Sequence, residues 1–292
     1  MSVNDAVLAA ATAQVEAAAM DAGLRPEIAG FFDPATFTVT YVVHDPASRQ
    51  AAIIDSVLDF DPASGRTKTA SADAVIAYVR EHDLEVTWLL ETHAHADHVT
   101  GSWLMHEATG CAIGLAEAAR ADNVTRPLKH GDRIAFGNRF VEVRSTPGHT
   151  DGCISFVLDD HSMAFTGDAL LVRGCGRCDF QQGNAHTLWR SITEQLLSLP
   201  EACLLYPGHD YTGRGVSSVA EEKAFNARLG GAASERDFVG HMQAMKLPHP
   251  HRIAVDEVDL QLGGAGLVDH RVEVELGGLG IFISPRSGPR AR

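Results

Sequence analysis

The chain has 292 residues, 45% of them apolar, with 38 Asp and Glu against 24 Lys and Arg, a formal net charge of -14 at pH 7. That size and apolar share allow a large core in one domain, or in a domain with an appendage. The acidic balance, with no basic stripe carrying interleaved aromatics, excludes nucleic acid as the expected partner, and no run reaches the ~18 apolar residues of a membrane span.

In chain order, residues 5–24 are Ala-rich with Gly23 as a stop, which predicts a peripheral helix. The segment has no basic region before its apolar stretch, and Asp5, Glu16, Asp21 and Glu27 share it with the single Arg25. This speaks against a secretory or mitochondrial leader and makes a cytoplasmic location the expectation. Thr36 to Val43 and Ala51 to Ile54 read as a strand pair, with Asp45-Pro46-Ala47-Ser48 as the turn. A polar loop is expected from Asp59 to Thr69, then a helix capped by Ser71 with Val75, Ile76 and Val79 on its apolar face. A strand starts at Val86, a helix runs from Val99 to Ala108, and short strands dominate from Ile113 to Phe165, with turns at Gly131-Asp132 and Gly137-Asn138. Asn184 to Leu199 returns to helix, with Leu188, Ile192 and Leu196 on one face. Trp88, Trp103 and Trp189 sit in apolar patterns and are expected in the core. From Ala254 the pattern changes to Gly-rich β-like segments, Val258 to Leu262 and Val272 to Leu276, and the end, Ser284 to Arg292, is expected to be disordered. Two β-rich stretches, each followed by helix, imply an α/β protein of two sheets packed face to face with helices outside. The organisation expected is a helical lead-in over 1–30, a main domain over 31–253 and an unassigned extension over 254–292.

Chemistry concentrates at His93-Ala94-His95-Ala96-Asp97-His98, directly after the apolar run Val86 to Leu90. Three imidazoles and a carboxylate within six residues read as a metal site. Alternation along a strand would point His93 and His95 to one face. Downstream come Thr146-Pro147-Gly148-His149-Thr150, Phe165-Thr166-Gly167-Asp168 and Tyr206-Pro207-Gly208-His209-Asp210. Each follows a short β-like run (Phe140 to Arg144, Ser162 to Phe165, Ala202 to Tyr206), so turns at strand ends deliver further ligands to a rigid sheet. The five cysteines (Cys111, Cys153, Cys175, Cys178, Cys203) are an odd number without an export signal, which favours free thiols. Cys175-Gly176-Arg177-Cys178 has the spacing of a redox or zinc pair, but no second pair completes a zinc ribbon.

The ordered set His-x-His-x-Asp-His, Gly-His, Gly-Asp and Gly-His resembles the metallo-β-lactamase superfamily, which implies an αββα sandwich with metal at the sheet ends. Within it, the run from Phe165 to Gly183, including Gly174-Cys175-Gly176-Arg177-Cys178-Asp179-Phe180-Gln181-Gln182-Gly183, resembles the glutathione persulfide dioxygenases. Supporting matches are Phe32-Asp33-Pro34-Ala35-Thr36-Phe37-Thr38, Ile54-Asp55-Ser56, Pro207-Gly208-His209-Asp210-Tyr211 and Asn226-Ala227-Arg228-Leu229. The resemblance implies one Fe(II) per chain held by His93, His149 and Asp168, the facial arrangement of non-haem oxygenases, acting on glutathione persulfide and O2. It leaves His95, Asp97, His98 and His209 either to ligate a second metal or to hydrogen-bond the ligands, and Asp55 to orient a ligand imidazole. For glutathione it points to Arg177, Tyr211 and Arg228, since an Arg fork binds a carboxylate in two places. The rival it leaves open is a glyoxalase II-type thioesterase, which uses a dinuclear site and metal-bound hydroxide. Oligomeric state is not read from the sequence, a homodimer being one option.

Overall fold

The computed structural model describes residues 26–245 apart from 62, 123 and 180. One six-stranded sheet opens with β1 (Glu27–Phe32), β2 (Val39–His44) and β3 (Gln50–Ile54), paired antiparallel. Next along the chain come β4 (Val57–Asp61), β5 (Arg66–Lys68), β6 (Glu85–Leu90), β7 (Val99–Thr100), β8 (Ala112–Ala116) and β9 (Arg126–Leu128). Of these, β6, β8 and β9 extend the sheet in parallel to give the order β1-β2-β3-β6-β8-β9, while β5-β4-β7 form a small sheet of their own. The second large sheet has β10 (Arg133–Phe136), β11 (Arg139–Ser145), β12 (Ile154–Leu158), β13 (Met163–Gly167), β14 (Leu204–Pro207) and β15 (Ser217–Ser218) in sequence order. Its pairs are antiparallel except β13 with β14.

Strand alternation builds the layers. In β2, Val39, Tyr41 and Val43 face Phe136, Val141, Phe156 and Phe165 of the other sheet, while Val42 points the opposite way. That outer face, with Ala51 and Ile53, is covered by Ala72 and Val75 of α1 (Ala70–Glu81) and Met105 of α2 (Ser102–Thr109). The second sheet turns Val157 and Ala164 outward against Leu188 of α3 (Ala185–Arg190) and Ile192 and Leu196 of the π-helical turn that continues it (Ser191–Leu196). Beyond α4 (Val219–Phe225), α5 (Glu235–Ala244) adds Phe238, Val239 and Met242 to the same layer. The result is the expected αββα sandwich. Each fully buried Phe or Leu contributes about 1.5–3 kcal/mol.

Several expectations change. The stretch Asp59 to Thr69 is a hairpin of β4 and β5, not a loop. Its polarity hid it because β5 is exposed throughout and β4 is mostly half-buried. Ser71 lies inside α1, whose cap is Thr69, and its N–H and hydroxyl donate to Asp59 instead (2.9 and 2.8 Å). Val99 and Thr100 belong to β7, and the helix starts at Ser102. The boundary set at residue 30 cuts through β1, a half-buried edge strand whose Ala29-Gly30 centre gives little β signal. Trp103 is 38% exposed and stacks near His106 rather than in the core. The expected helix over 5–24 and the segments after Ala254 lie outside the described residues. Among the described residues none of the five cysteines is in a disulfide, as expected.

Candidate metal centre

Five strand ends meet at one rim of the sandwich: residue 55 after β3, residues 91–98 after β6, His149 between β11 and β12, Asp168 after β13 and His209 after β14. Because β6 stops at Leu90, His93 and His95 sit in a loop, and strand alternation does not place them. Hydrogen bonds do. Asp55 has φ +52°, and its N–H donates to the Leu90 carbonyl (2.9 Å). Its carboxylate then accepts both the Thr92 N–H (2.7 Å) and the Thr92 hydroxyl (2.8 Å). With its proton committed to Asp55, the Thr92 oxygen accepts from His93 Nδ1–H at 3.0 Å, which leaves the lone pair on Nε2. Thr92 has room for this only because residue 167 is Gly, at φ +51°, where a Cβ would stand 2.5 Å from the Thr92 hydroxyl oxygen. On the other side of the rim, His149 Nδ1–H donates to the Arg177 carbonyl at 2.6 Å, so its Nε2 is also the bare nitrogen.

These two nitrogens face Asp168 Oδ2 at 4.0 and 3.6 Å, and the ligand atoms of His93, His149 and Asp168 all lie within 4.8 Å of one another. Burial, seconded by neighbouring His95, holds the His93 pKa well below the ordinary imidazole value, so it is the neutral ligand form. Two lone pairs and a carboxylate oxygen converging in a buried site are costly unless a cation joins them. First-row cations bind such atoms at about 2.0–2.2 Å. The donor set therefore fits a metal with two imidazoles and one carboxylate.

The remaining predicted residues surround this trio. His209 is 2% exposed and has both ring nitrogens 2.6 Å from carboxylates, Nδ1 at Asp168 and Nε2 at Asp97. Burial would lower its pKa, but Asp168 and then Asp97 outweigh it and raise the value well above the ordinary one. Doubly donating, His209 has no lone pair for a metal. His95 points Nε2 at Asp55 Oδ1 and Glu91 Oε2, both 3.2 Å away. Despite burial these carboxylates raise its pKa to about 10. His98 Nδ1 lies 3.2 Å from the Thr38 hydroxyl and 3.4 Å from Asp97. Ligand atoms of His95, Asp97 and His98 also fall within 4.8 Å of one another, and His95 Nδ1 and His98 Nε2 are buried with no protein partner.

A cavity of about 300 Å³ opens beside His149 and Asp168 and is lined by Cys175, Arg177, Tyr211 and Arg228, so the three residues expected to bind substrate share one cavity. They are not equally placed. The Arg177 fork is occupied by Asp179 (2.6 and 2.7 Å), whereas Arg228 spends Nη1 on the Cys175 carbonyl (2.9 Å). Tyr211 is 63% exposed and stacks on His209 with centroids 5.7 Å apart. Sequence reasoning missed Glu91, Thr92 and Thr38. Glu91 and Thr92 immediately precede the His cluster, and that adjacency was the available signal; their burial is visible only in the structure.

Fold and rim together define a metallo-β-lactamase type of protein. The model of the metallo-beta-lactamase superfamily matches residues 34–209. The persulfide dioxygenase ETHE1 of Bos taurus is 47% identical over 225 residues, covering 76% of this chain and 82% of the relative, and the Homo sapiens protein is 46% identical over the same length and coverage. The crystal structure of ETHE1 from Myxococcus xanthus superposes with a TM-score of 0.73 at 40% identity, covering 82% of this chain and all of that one. The chain belongs to the persulfide dioxygenase family within the metallo-β-lactamase superfamily. Both mammalian relatives are named as mitochondrial, in contrast to the cytoplasmic expectation for this chain, and among the described residues no helix is long and apolar enough to cross a membrane.

Proposed function

We propose that the chain is an iron-dependent enzyme that oxidises glutathione persulfide with O2 and water to sulfite and glutathione: GSSH + O2 + H2O → GSH + SO3²⁻ + 2H⁺. The observation that carries this reading is the ligand count. His93 and His149 present bare Nε2 atoms toward Asp168, while His209, which a second metal would need, is bound at both nitrogens by carboxylates. One carboxylate and two imidazoles on one face leave positions open for two reactants. Fe(II) bound there supplies electron density that activates O2 beside a soft persulfide sulfur.

The chain's own residues do the rest. Asp55 acting through Thr92, and the Arg177 carbonyl, hold the two imidazoles in the ligating tautomer. Arg228 and Tyr211 bind the glutathione end in the adjoining cavity, a local cationic site that overcomes the acidic net charge. Arg177 joins them where a substrate carboxylate replaces Asp179.

Metal analysis paired with an oxygen electrode tests the reading. One iron per chain and O2 uptake on glutathione persulfide are expected. A second reading has one observation in its favour, the convergence of His95, Asp97 and His98. Two tightly bound ions per chain with hydrolysis of lactoylglutathione would establish that thioesterase instead.

A further inference from the structure

The Gly174-Cys175-Gly176-Arg177 segment, which leads into the redox-like Cys175–Cys178 spacing, has another use in the structure. Its backbone groups are divided between two sets of residues. Toward the metal centre, the Arg177 carbonyl accepts His149 Nδ1–H (2.6 Å) and the Gly176 N–H donates to the Asp168 carbonyl (2.7 Å). Toward the cavity wall, the Cys175 carbonyl accepts from Arg228 Nη1 (2.9 Å) and the Gly174 carbonyl from Asn226 Nδ2 (3.1 Å). There is no slack on the metal side: a Cβ on Gly176 would stand 2.4 Å from the Asp168 carbonyl oxygen and 2.8 Å from His149 Nδ1.

Asn226 is 4% exposed and uses its whole amide. Nδ2 also donates to Glu222 on α4 (2.7 Å), and Oδ1 accepts the N–H groups of Arg228 (2.9 Å) and Leu229 (3.2 Å). Two donors and two acceptor contacts complete the hydrogen-bonding capacity of a primary amide. Glu222 is itself fixed by the Arg173 N–H (3.0 and 3.1 Å). One side chain thus ties a helix, the backbone of Arg228 and the 174–177 turn together.

We propose that Asn226 is a positioning residue that sets the orientation of His149 at the metal centre and the placement of Arg228 at the cavity through the 174–177 turn. The part concerning Arg228 rests on the function proposed above; the part concerning His149 needs only a bound metal. Asn226 touches neither metal nor substrate in this role. Its removal lowers affinity for both by letting the turn shift.

The test uses the full iron-loaded chain carrying Asn226→Asp together with Glu222→Gln. This pair exchanges donor and acceptor between the two side chains and keeps the acceptor for Arg228 and Leu229, but offers no donor to the Gly174 carbonyl. Asn226→Ser, whose hydroxyl also accepts the Arg228 N–H, serves as a second variant. Chelator competition reads iron affinity, and calorimetry reads the Kd of glutathione. The expected result is a fall in iron affinity of roughly 10- to 100-fold. Glutathione Kd and the KM for the persulfide should rise several-fold, with the melting temperature within a few degrees of wild type. Iron affinity and glutathione Kd both within twofold of wild type, or a change in glutathione binding alone, would overturn the proposal. If wild type itself binds no glutathione, the function proposed above fails, while a loss of iron affinity in the variants still supports the placement of His149.

Discussion

Replacing Thr92 with Val isolates the link between Asp55 and His93. Valine keeps the shape of the side chain, which matters because Thr92 is 1% exposed and lies against Gly167. It removes two bonds at once: the hydroxyl donated to Asp55 (2.8 Å) and the acceptor for His93 Nδ1–H (3.0 Å), while the Thr92 N–H still anchors the other Asp55 oxygen (2.7 Å). A hydrogen bond to a charged group is worth about 1.5–3 kcal/mol, and Asp55 is buried, so a stability loss of that size is expected in urea titration. The His93 ring, no longer held in one tautomer, should bind metal about 10- to 100-fold more weakly, equivalent to about 1.4–2.7 kcal/mol. Chelator competition measures this directly at a temperature where the variant is folded. Metal affinity within twofold of wild type, accompanied by the expected loss of stability, would show that Thr92 supports the fold alone and that the His93 tautomer is set elsewhere.

Arg228→Ala should raise the KM for glutathione persulfide roughly 10- to 150-fold, from about 1.5–3 kcal/mol for a charge-assisted bond, and should harm a small persulfide without carboxylates far less; equal harm to both would refute the assignment. His149→Ala should lose most of the iron, whereas His209→Ala should keep one ion per chain at saturating iron; loss of two ions in the latter, counted by metal analysis, contradicts a single-metal site. Cys178→Ser should keep most turnover, since burial pushes this thiol up to about 11 and it is not a ready nucleophile; inactivation with iron and fold intact would contradict this. Away from the site, burial would raise the Asp45 pKa, but hydrogen bonds from Asn138, Ser48 and Ala47 outweigh it and lower the value. Its folded pKa lies below the unfolded one, so its contribution is present above about pH 4 and is lost as pH falls through the folded value. Asp45→Asn should flatten that acid limb in denaturant titrations at successive pH values.

The candidate metal site was legible in the sequence because its signals are local. Pro-Gly-His and Thr-Gly-Asp are turn chemistry, and a short apolar run before each marks a strand end, so the 93–98 cluster, His149, Asp168 and His209 could be gathered as one candidate site, while the choice of His93, His149 and Asp168 as the iron trio was implied by the family resemblance alone. The αββα layering followed from strand and helix periods in the same way. The hairpin of β4 and β5 did not, because an exposed strand paired with a half-buried one carries the composition of a loop. Nor did the strand-alternation argument for His93 and His95 hold, since β6 ends before them. What only the tertiary structure decided is which lone pairs are left for a metal. His209 is bound to Asp168, 41 residues away, and to Asp97, 112 residues away. Asn226 reaches the Gly174 carbonyl across 52 residues. Hydrogen bonds between buried groups so distant depend on how the two sheets pack, and no local pattern in the chain encodes their partners.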